Sequence, residues 1–355
     1  RYTMADNNIN KHVVIFRNDA VGELALSLPA IFNIIEKNRG SNITLFLSNL
    51  SKDFKFFFDN KKIKIEILNN KLNIFQKIKI LYFFLHNKID IVYILVPKNF
   101  FFYLPFIFRK VKFFALCLNN INNYKRPSPF LRKFLYKYIV NDRSAVFKRE
   151  STLSLQLSLS ENKKNNNNLV YNFNPEISIS LKNYIKKKYI YFHLKRKILN
   201  ELGWGIDELK KLFNKFLEYT DYVYITKDIE IDKNTTILKE NFNSYDFINK
   251  KNIDNSSKVV FFDNIKGVDL YNIIKYSKKT IAFHGMMTAL SSIEKKNVLD
   301  LYYCKIRSWH DYRNYRNSFY EYKPSYRGYD FIIPRKDINK TINKMKFSLE
   351  KWIKT

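Results

Sequence analysis

The chain has 355 residues, about twice the length of a typical single domain, which points to two domains. With 46% hydrophobic and 27% charged residues it has material for two cores, and seven Gly and eight Pro exclude a collagen-like or linker-dominated chain. Its 63 Lys and Arg against 32 Asp and Glu give a net charge of +31, which excludes an acidic disordered chain and suits phosphate-rich partners: nucleic acid, anionic lipid head groups or phosphorylated saccharides.

Arg1–Lys11 is polar and lacks the apolar stretch of a signal peptide. His12–Phe16 (HVVIF) is a β-branched apolar run and predicts a buried strand. A polar loop, Arg17–Val21, leads into Gly22–Asn38, where Leu24, Leu28, Ile31, Ile34 and Ile35 recur at helical spacing around Pro29. Ile43–Leu47 is the next strand, completing the strand–helix–strand unit of a parallel sheet. The pattern continues with strands at Ile63–Ile67, Ile89–Val96 and Lys112–Leu118, and with helices at Ile74–His86 and Phe100–Phe108. Phe130–Ile139 is expected to form a basic amphipathic helix.

Ser160–Pro175, with four consecutive Asn, is the best linker candidate. A second series follows it, with strands at Tyr189–Leu194, Tyr222–Ile225, Lys258–Phe262, Thr280–Phe283 and Asn297–Leu301. Helices are expected at Asp207–Tyr219, Leu270–Lys275 and Thr288–Lys295, and a basic one at Asp337–Lys354. The expected domains are residues 11–165 and 176–335, with the terminal helix in 336–355. Two such α/β halves would face each other across a cleft, with ligands at the C-terminal edges of their parallel sheets.

Two segments fall at such edges. In Arg17-Asn18-Asp19-Ala20-Val21-Gly22-Glu23, two carboxylates and a guanidinium accompany a Gly that lets a ligand approach the backbone. Glu23, in the first helical turn, could take a proton from a hydroxyl nucleophile. It could equally do no more than complement the helix dipole, and Asp19 could be a turn residue; composition alone favours those structural roles. In Phe283-His284-Gly285-Met286-Met287-Thr288, free amides at a helix start make an anion site, with His284 and Thr288 as extra donors. The competing role is a tight strand-to-helix turn with both methionines in the core, and a lone Gly weighs toward that role. His193 and Lys195, ending the first strand of the second half, could bind a diphosphate, although solvated basic clusters are common in so Lys-rich a chain.

Absent motifs narrow the field. No full GxGxxG or GxxxxGK[ST] occurs, and no HExxH, paired CxxC or GxSxG. The alternating Asp228, Glu230 and Asp232 fit a solvated strand face better than a metal pair, and no metal is expected. Trp204 and Asp207 suit structural roles, and Cys117 and Cys304 suit core positions in a reducing compartment. The most apolar region, Ile78–Leu118, is broken by charges, and its uncharged run Asn99–Phe108 is too short to span a membrane.

Taken together, Arg17-x-Asp19-x-Val21-Gly22-Glu23 and Leu28-Pro29-Ala30 resemble the R-x-D-x-[IV]-G-D…[TL]-P-A opening of glycosyltransferase family 9, the heptosyltransferases of lipopolysaccharide core assembly. The strand ending at His193, with Lys195 and Trp204 beyond, resembles that family's H-P-G…K-x-W-P block, and His284–Leu290 followed by Val298 resembles its D-[ST]-G-x-x-H-[LI]-A…P-V block. The resemblance implies a GT-B fold of two Rossmann-like domains with parallel sheets facing across a cleft. It also implies an inverting, metal-independent transfer of heptose or a similar sugar from a nucleoside-diphosphate donor such as ADP-heptose, without a cofactor. The acceptor would be lipopolysaccharide core or another glycan.

Glu23 stands where the family has its catalytic Asp, beside an acceptor-side loop of Arg17, Asp19 and Gly22. His193, Lys195, His284, Gly285, Met286, Met287 and Thr288 match the donor-binding blocks. Phe283 and His284 depart from the family's Asp and Ser or Thr, and Thr288 stands where it often has His, so the donor can differ or the site can be degenerate. The implied location is the cytoplasm or the inner face of an anionic membrane. Two other classes compete: a basic nucleic-acid-binding protein, which the 17% aromatics would serve by base stacking, and a catalytically inactive scaffold of the same fold.

Overall fold

The computed structural model describes residues 11–119, 125–143, 151–160, 171, 173–228, 234–254, 257–296, 298–303, 329–333 and 337–354. These divide into two compact units, residues 11–160 and 171–354. Most of the segment expected as a linker, including its four consecutive Asn, lies outside the described residues, as do Cys304, Glu230 and Asp232.

The first unit runs β1 (His12–Arg17), α1 (Val21–Lys37), β2 (Asn42–Ser48), β3 (Lys64–Leu68), α2 (Ile74–His86) and β4 (Ile91–Ile94). It continues with β5 (Lys112–Asn119), β6 (Lys125–Arg126), β7 (Lys137–Asp142) and α3 (Thr152–Leu159). The sheet order is β3-β2-β1-β4-β5, with β6 antiparallel and β7 parallel to β5. Strands β1, β2, β4 and β5 are apolar on both faces because helices or loops cover both sides, as parallel sheets require. One face packs Val14, Phe16, Val92, Ile94, Phe113 and Ala115 under α2 and the segments after β4 and β5. Helix α1 buries Leu24, Leu28, Ile31 and Ile34 and runs through Pro29 as one element.

Two expectations change here. Phe130–Ile139 is not a helix: only Pro129–Arg132 is helical, and Lys137–Asp142 is β7. The apolar spacing supports one turn, after which Tyr138, Ile139 and Val140 favour a strand and complete the ladder left open along β5. Phe100–Phe108 is likewise broken into a 3-10 turn, Asn99–Phe102, and a short helix, Leu104–Ile107.

The second unit runs α4 (Ile179–Ile185), β8 (Tyr189–Leu194), α5 (Arg196–Leu202), α6 (Ile206–Leu217), β9 (Tyr222–Lys227), α7 (Asn234–Asn241) and β10 (Asn243–Asp246). Then come β11 (Lys251–Ile253), β12 (Val259–Asp263), α8 (Gly267–Lys275), β13 (Lys279–Phe283) and α9 (Met286–Ile293). Strands β14 (Val298–Tyr302) and β15 (Tyr329–Ile332) and helix α10 (Ile338–Lys354) complete it. The order is β11-β10-β12-β9-β8-β13-β14-β15, all parallel except the β10–β11 hairpin. The order reverses between β8 and β13, whose carboxyl ends flank the switch point where open α/β sheets bind ligands. Ile190, Phe192, Phe213, Phe216, Phe261 and Phe283 anchor a core that α6 and α10 close with Leu212, Leu349 and Trp352. Each unit thus has the two-faced α/β build expected of it.

Candidate functional site

At the carboxyl edge of the first sheet, Arg17 ends β1 and is buried. Its guanidinium donates to Glu23 Oε2 at 2.9 Å, to the Glu23 carbonyl at 3.2 Å and to the Leu95 carbonyl at 3.2 Å. The Glu23 side chain keeps 29% exposure. A partly solvated carboxylate in the first turn of α1 is therefore held by a rigid fork from the neighbouring strand. Asp19 accepts from the Ala20 amide at 2.9 Å, a turn contact, while Ser48 Oγ donates to the Asp19 carbonyl at 2.6 Å.

Lys98, which the sequence did not single out, belongs to this edge. Its ammonium donates to the Asn18 and Asn70 carbonyls and, at 2.9 Å, to Asn70 Oδ1, tying the loop after β1 to the loop after β3. Burial pushes its pKa down to about 8, with Asp19 pulling it up and Arg17 down again. Asn18 is fully buried and donates to the Asn69 carbonyl at 3.2 Å.

At the carboxyl edge of the second sheet, β13 ends in Phe283, and His284-Gly285 turns the chain into α9. Gly285 adopts φ 149°, ψ −135°, where side chains other than hydrogen are strained. A Cβ there would lie 3.0 Å from Lys195 Nζ, and that ammonium donates to the His284 carbonyl at 3.0 Å. Lys195 follows β8 as the residue before α5, so the switch point brings it onto the glycine turn. Burial lowers the Lys195 pKa, opposed by Asp228 and Asp300.

Behind the turn stands Asp300, fully buried in the middle of β14. It accepts from Thr288 Oγ1 at 2.8 Å, from Tyr302 Oη at 2.7 Å and from His284 Nδ1 at 2.8 Å. The Tyr302 ring stacks on the imidazole at 4.7 Å. Tyr302 Oη also lies 2.7 Å from His284 Nδ1, so that ring nitrogen is engaged within the unit. Thr288 is buried with its hydroxyl committed to Asp300, and it accepts from the Gly285 amide at 3.4 Å. Met287 is in the core, while Met286 opens α9 half-buried.

His193 is also turned inward. Nδ1 meets Thr226 Oγ1 at 2.8 Å, Nε2 meets Asp228 Oδ1 at 3.1 Å, and Tyr191 Oη reaches the same threonine at 2.6 Å. These contacts fit one chain in which Tyr191 donates to Thr226, Thr226 to His193, and His193 to Asp228. Asp228 is therefore only partly solvated and is engaged within the unit: burial alone would raise its pKa, but His193, Lys195 and the Arg196 amide bring it below the usual carboxylate range. Beside it, a cavity of about 130 Å³ is walled by Leu199, Trp204, Leu209 and Leu238, with Arg196 and Lys227 at its polar side. Trp204 thus keeps its structural place in the core and also lines this cavity. Among the described residues no cluster of three or more His, Cys, Asp or Glu could hold a metal ion.

Missing from the sequence-based set are Lys98, Asp228 as a partner of His193, and Asp300. Asp300 alone carried a signal: an acid inside the apolar run Val298–Tyr302 must be satisfied by buried donors.

No protein-family model and no curated protein matches the sequence. Solved structures do share its fold. A family 9 glycosyltransferase from Veillonella parvula is 12% identical, with 97% of each chain covered and a TM-score of 0.63. The E. coli ADP-heptose lipopolysaccharide heptosyltransferase II is 11% identical over 97% of this chain and 98% of its own, with a TM-score of 0.61. A UDP-N-acetylglucosamine 2-epimerase is 11% identical over 98% of this chain and 89% of its own, with a TM-score of 0.55. The chain therefore has the GT-B fold of the family 9 glycosyltransferases over nearly its whole length.

Proposed function

We propose that the protein is an inverting, metal-independent glycosyltransferase that uses a nucleoside-diphosphate sugar, with heptose or a similar sugar as the group transferred. The observation that carries the reading is the cluster of Lys195, the strained Gly285 turn and the start of α9 at the switch point of the second sheet. Backbone amides and a helix dipole favour a phosphate there, and the Lys195 ammonium adds a charge-assisted donor. Asp228, at the end of the second strand of its βαβ unit, stands where nucleotide-binding units place the carboxylate that takes a ribose hydroxyl. The Veillonella and E. coli structures support transfer over epimerisation through their names, and the Arg17–Glu23 opening motif supports it from the sequence.

In this scheme Glu23 accepts the proton of an acceptor hydroxyl, whose oxygen forms a bond to the anomeric carbon. The bond from that carbon to the diphosphate breaks on the opposite face, and the leaving nucleoside diphosphate keeps the electron pair. Lys195 and the amides of α9 stabilise the departing charge in place of a metal. Arg17 fixes the carboxylate in position. Donor binding is assigned to the second unit and acceptor activation to the first. The acceptor is a lipopolysaccharide-core or other phosphorylated glycan on the inner face of an anionic membrane, to which the +31 charge draws the enzyme from the cytoplasm.

Glu23→Gln tests the base: turnover should be lost while donor binding is kept. Equal turnover in that variant removes Glu23 from the role.

A further inference from the structure

Helix α2 is apolar on both sides. Its inner side places Ile80 and Phe84 in the core of the first unit, as any covering helix does. Its outer side carries Ile74, Phe75, Ile78, Tyr82 and Leu85 in water, with Phe75 77% and Leu85 70% exposed. At 100° per residue these five fall within about a 100° arc, a continuous stripe along the helix. A covering helix normally sets polar residues there, and a stripe of this size marks an interaction site.

The stripe has a neighbour on the same side of the sheet. The segments after β4 and β5 pack on the core face that α2 covers. They expose Tyr103, Phe106, Ile107 and Phe130. The Phe106 ring lies 5.1 Å from Phe134 and 6.2 Å from Phe130, and the Arg109 guanidinium lies over Phe106 and Phe134 at 5.5 and 5.3 Å. Arginine on aromatic rings keeps its charged head at the surface beside apolar contact area.

Charge singles out the partner. The segments that build this face, residues 71–141, contain thirteen Lys and Arg, of which Lys98 is held in the loops at the sheet edge and Lys79 pairs with Glu66 at 3.1 Å, and a single acid, Asp90. Asp90 is turned inward, accepting from the His12 amide at 2.8 Å. A protein partner or a second copy of this basic face would have to bury repelled cations. An anionic bilayer supplies the opposite charge and an apolar layer in one surface, where Tyr and Phe seat at head-group depth.

We propose that the outer face of α2, together with the Tyr103–Ile107 segment and Phe130, is the surface by which the protein lies on an anionic lipid bilayer. This gives the proposed membrane association a specific face, and it depends on neither the donor nor the transfer chemistry.

The test is co-sedimentation of the full chain with vesicles of phosphatidylcholine alone or mixed with phosphatidylglycerol. The wild type should bind the mixed vesicles, bind the neutral ones weakly, and detach as salt rises. The triple variant Phe75→Ser/Ile78→Ser/Leu85→Ser should bind the mixed vesicles at least about tenfold more weakly, since three apolar anchors are gone. Its melting temperature should stay at the wild-type value, because the side chains removed are solvent-exposed. Phe106→Ser gives an independent second variant with a smaller loss in the same direction. Ile179→Ser, which removes an 85% exposed apolar side chain from the second unit, should leave vesicle binding unchanged. Unchanged binding by the triple variant would overturn the proposal. So would a wild-type dimer in sedimentation analysis that the triple variant converts to monomer, which would make a second copy the occupant.

Discussion

Gly285→Ala tests the donor turn where structure and proposed chemistry meet. The backbone at φ 149°, ψ −135° costs about 1–3 kcal/mol for a residue with a side chain. The new methyl would also sit 3.0 Å from Lys195 Nζ, so the ammonium must yield by a few tenths of an ångström and loosen its 3.0 Å bond to the His284 carbonyl. At about 2–4 °C per kcal/mol for a unit of this size, the melting temperature should fall by about 2–12 °C. Gly203→Ala is the control. It too stands at positive φ, 67°, but its Cβ would meet nothing within 4 Å. Both variants should lose stability, by scanning calorimetry, and only Gly285→Ala should also weaken titration by ADP, GDP or UDP, whichever the wild type binds. A wild-type melting temperature for Gly285→Ala would show that the strained turn is not held. Equal nucleotide affinity in the two variants would show that the turn is not the phosphate site.

Other consequences follow from particular contacts. Glu294, at the end of α9, is pushed up to about 7 by burial, against the pull of Lys296. Its folded pKa lies above the ordinary value near 4.3, so its contribution is fully present below that value and is lost as pH rises toward about 7. Glu294→Gln should therefore stabilise the protein at pH 8, by up to about 3 kcal/mol, and change little at pH 4; a pH-independent difference in melting temperature would contradict this. Arg17→Met removes the buried fork on Glu23 and Leu95 and should cost about 1–3 kcal/mol, with a larger loss in turnover than in donor affinity. Loss of donor affinity instead would move Arg17 out of the acceptor-side role.

Much of the fold is legible in the sequence because parallel strands buried on both faces appear as apolar runs: His12–Phe16, Lys112–Leu118, Tyr189–Leu194 and Thr280–Phe283 match strands of the structure to within a residue at each end. The elements that escaped notice are short, polar or at sheet edges, such as β6, β10, β11 and β15, where pairing partners decide the conformation rather than local pattern. Strand β7 is masked in the sequence because one amphipathic turn precedes it. The site shows the same division. Gly285 and Lys195 stand out at strand ends, but their meeting depends on β8 and β13 being neighbours despite a separation of 89 positions between Lys195 and His284. Lys98 reaches Asn18 across 80 positions, and Asp228 reaches His193 across 35, separations that leave no periodic trace. His193 and Thr288 looked like ligand donors from composition, yet their polar atoms are bound within the unit.

The central claim is that the second unit holds a nucleoside-diphosphate sugar at Lys195 and the Gly285 turn. Calorimetric titration of the wild type and Lys195→Ala with ADP-, GDP- and UDP-linked sugars, and with a CMP-linked sugar as the monophosphate control, measures this directly. One donor class should bind the wild type, and Lys195→Ala should weaken it by about 10- to 100-fold, the worth of one charge-assisted hydrogen bond. Silence across the whole panel, or equal binding by the two proteins, would contradict the claim.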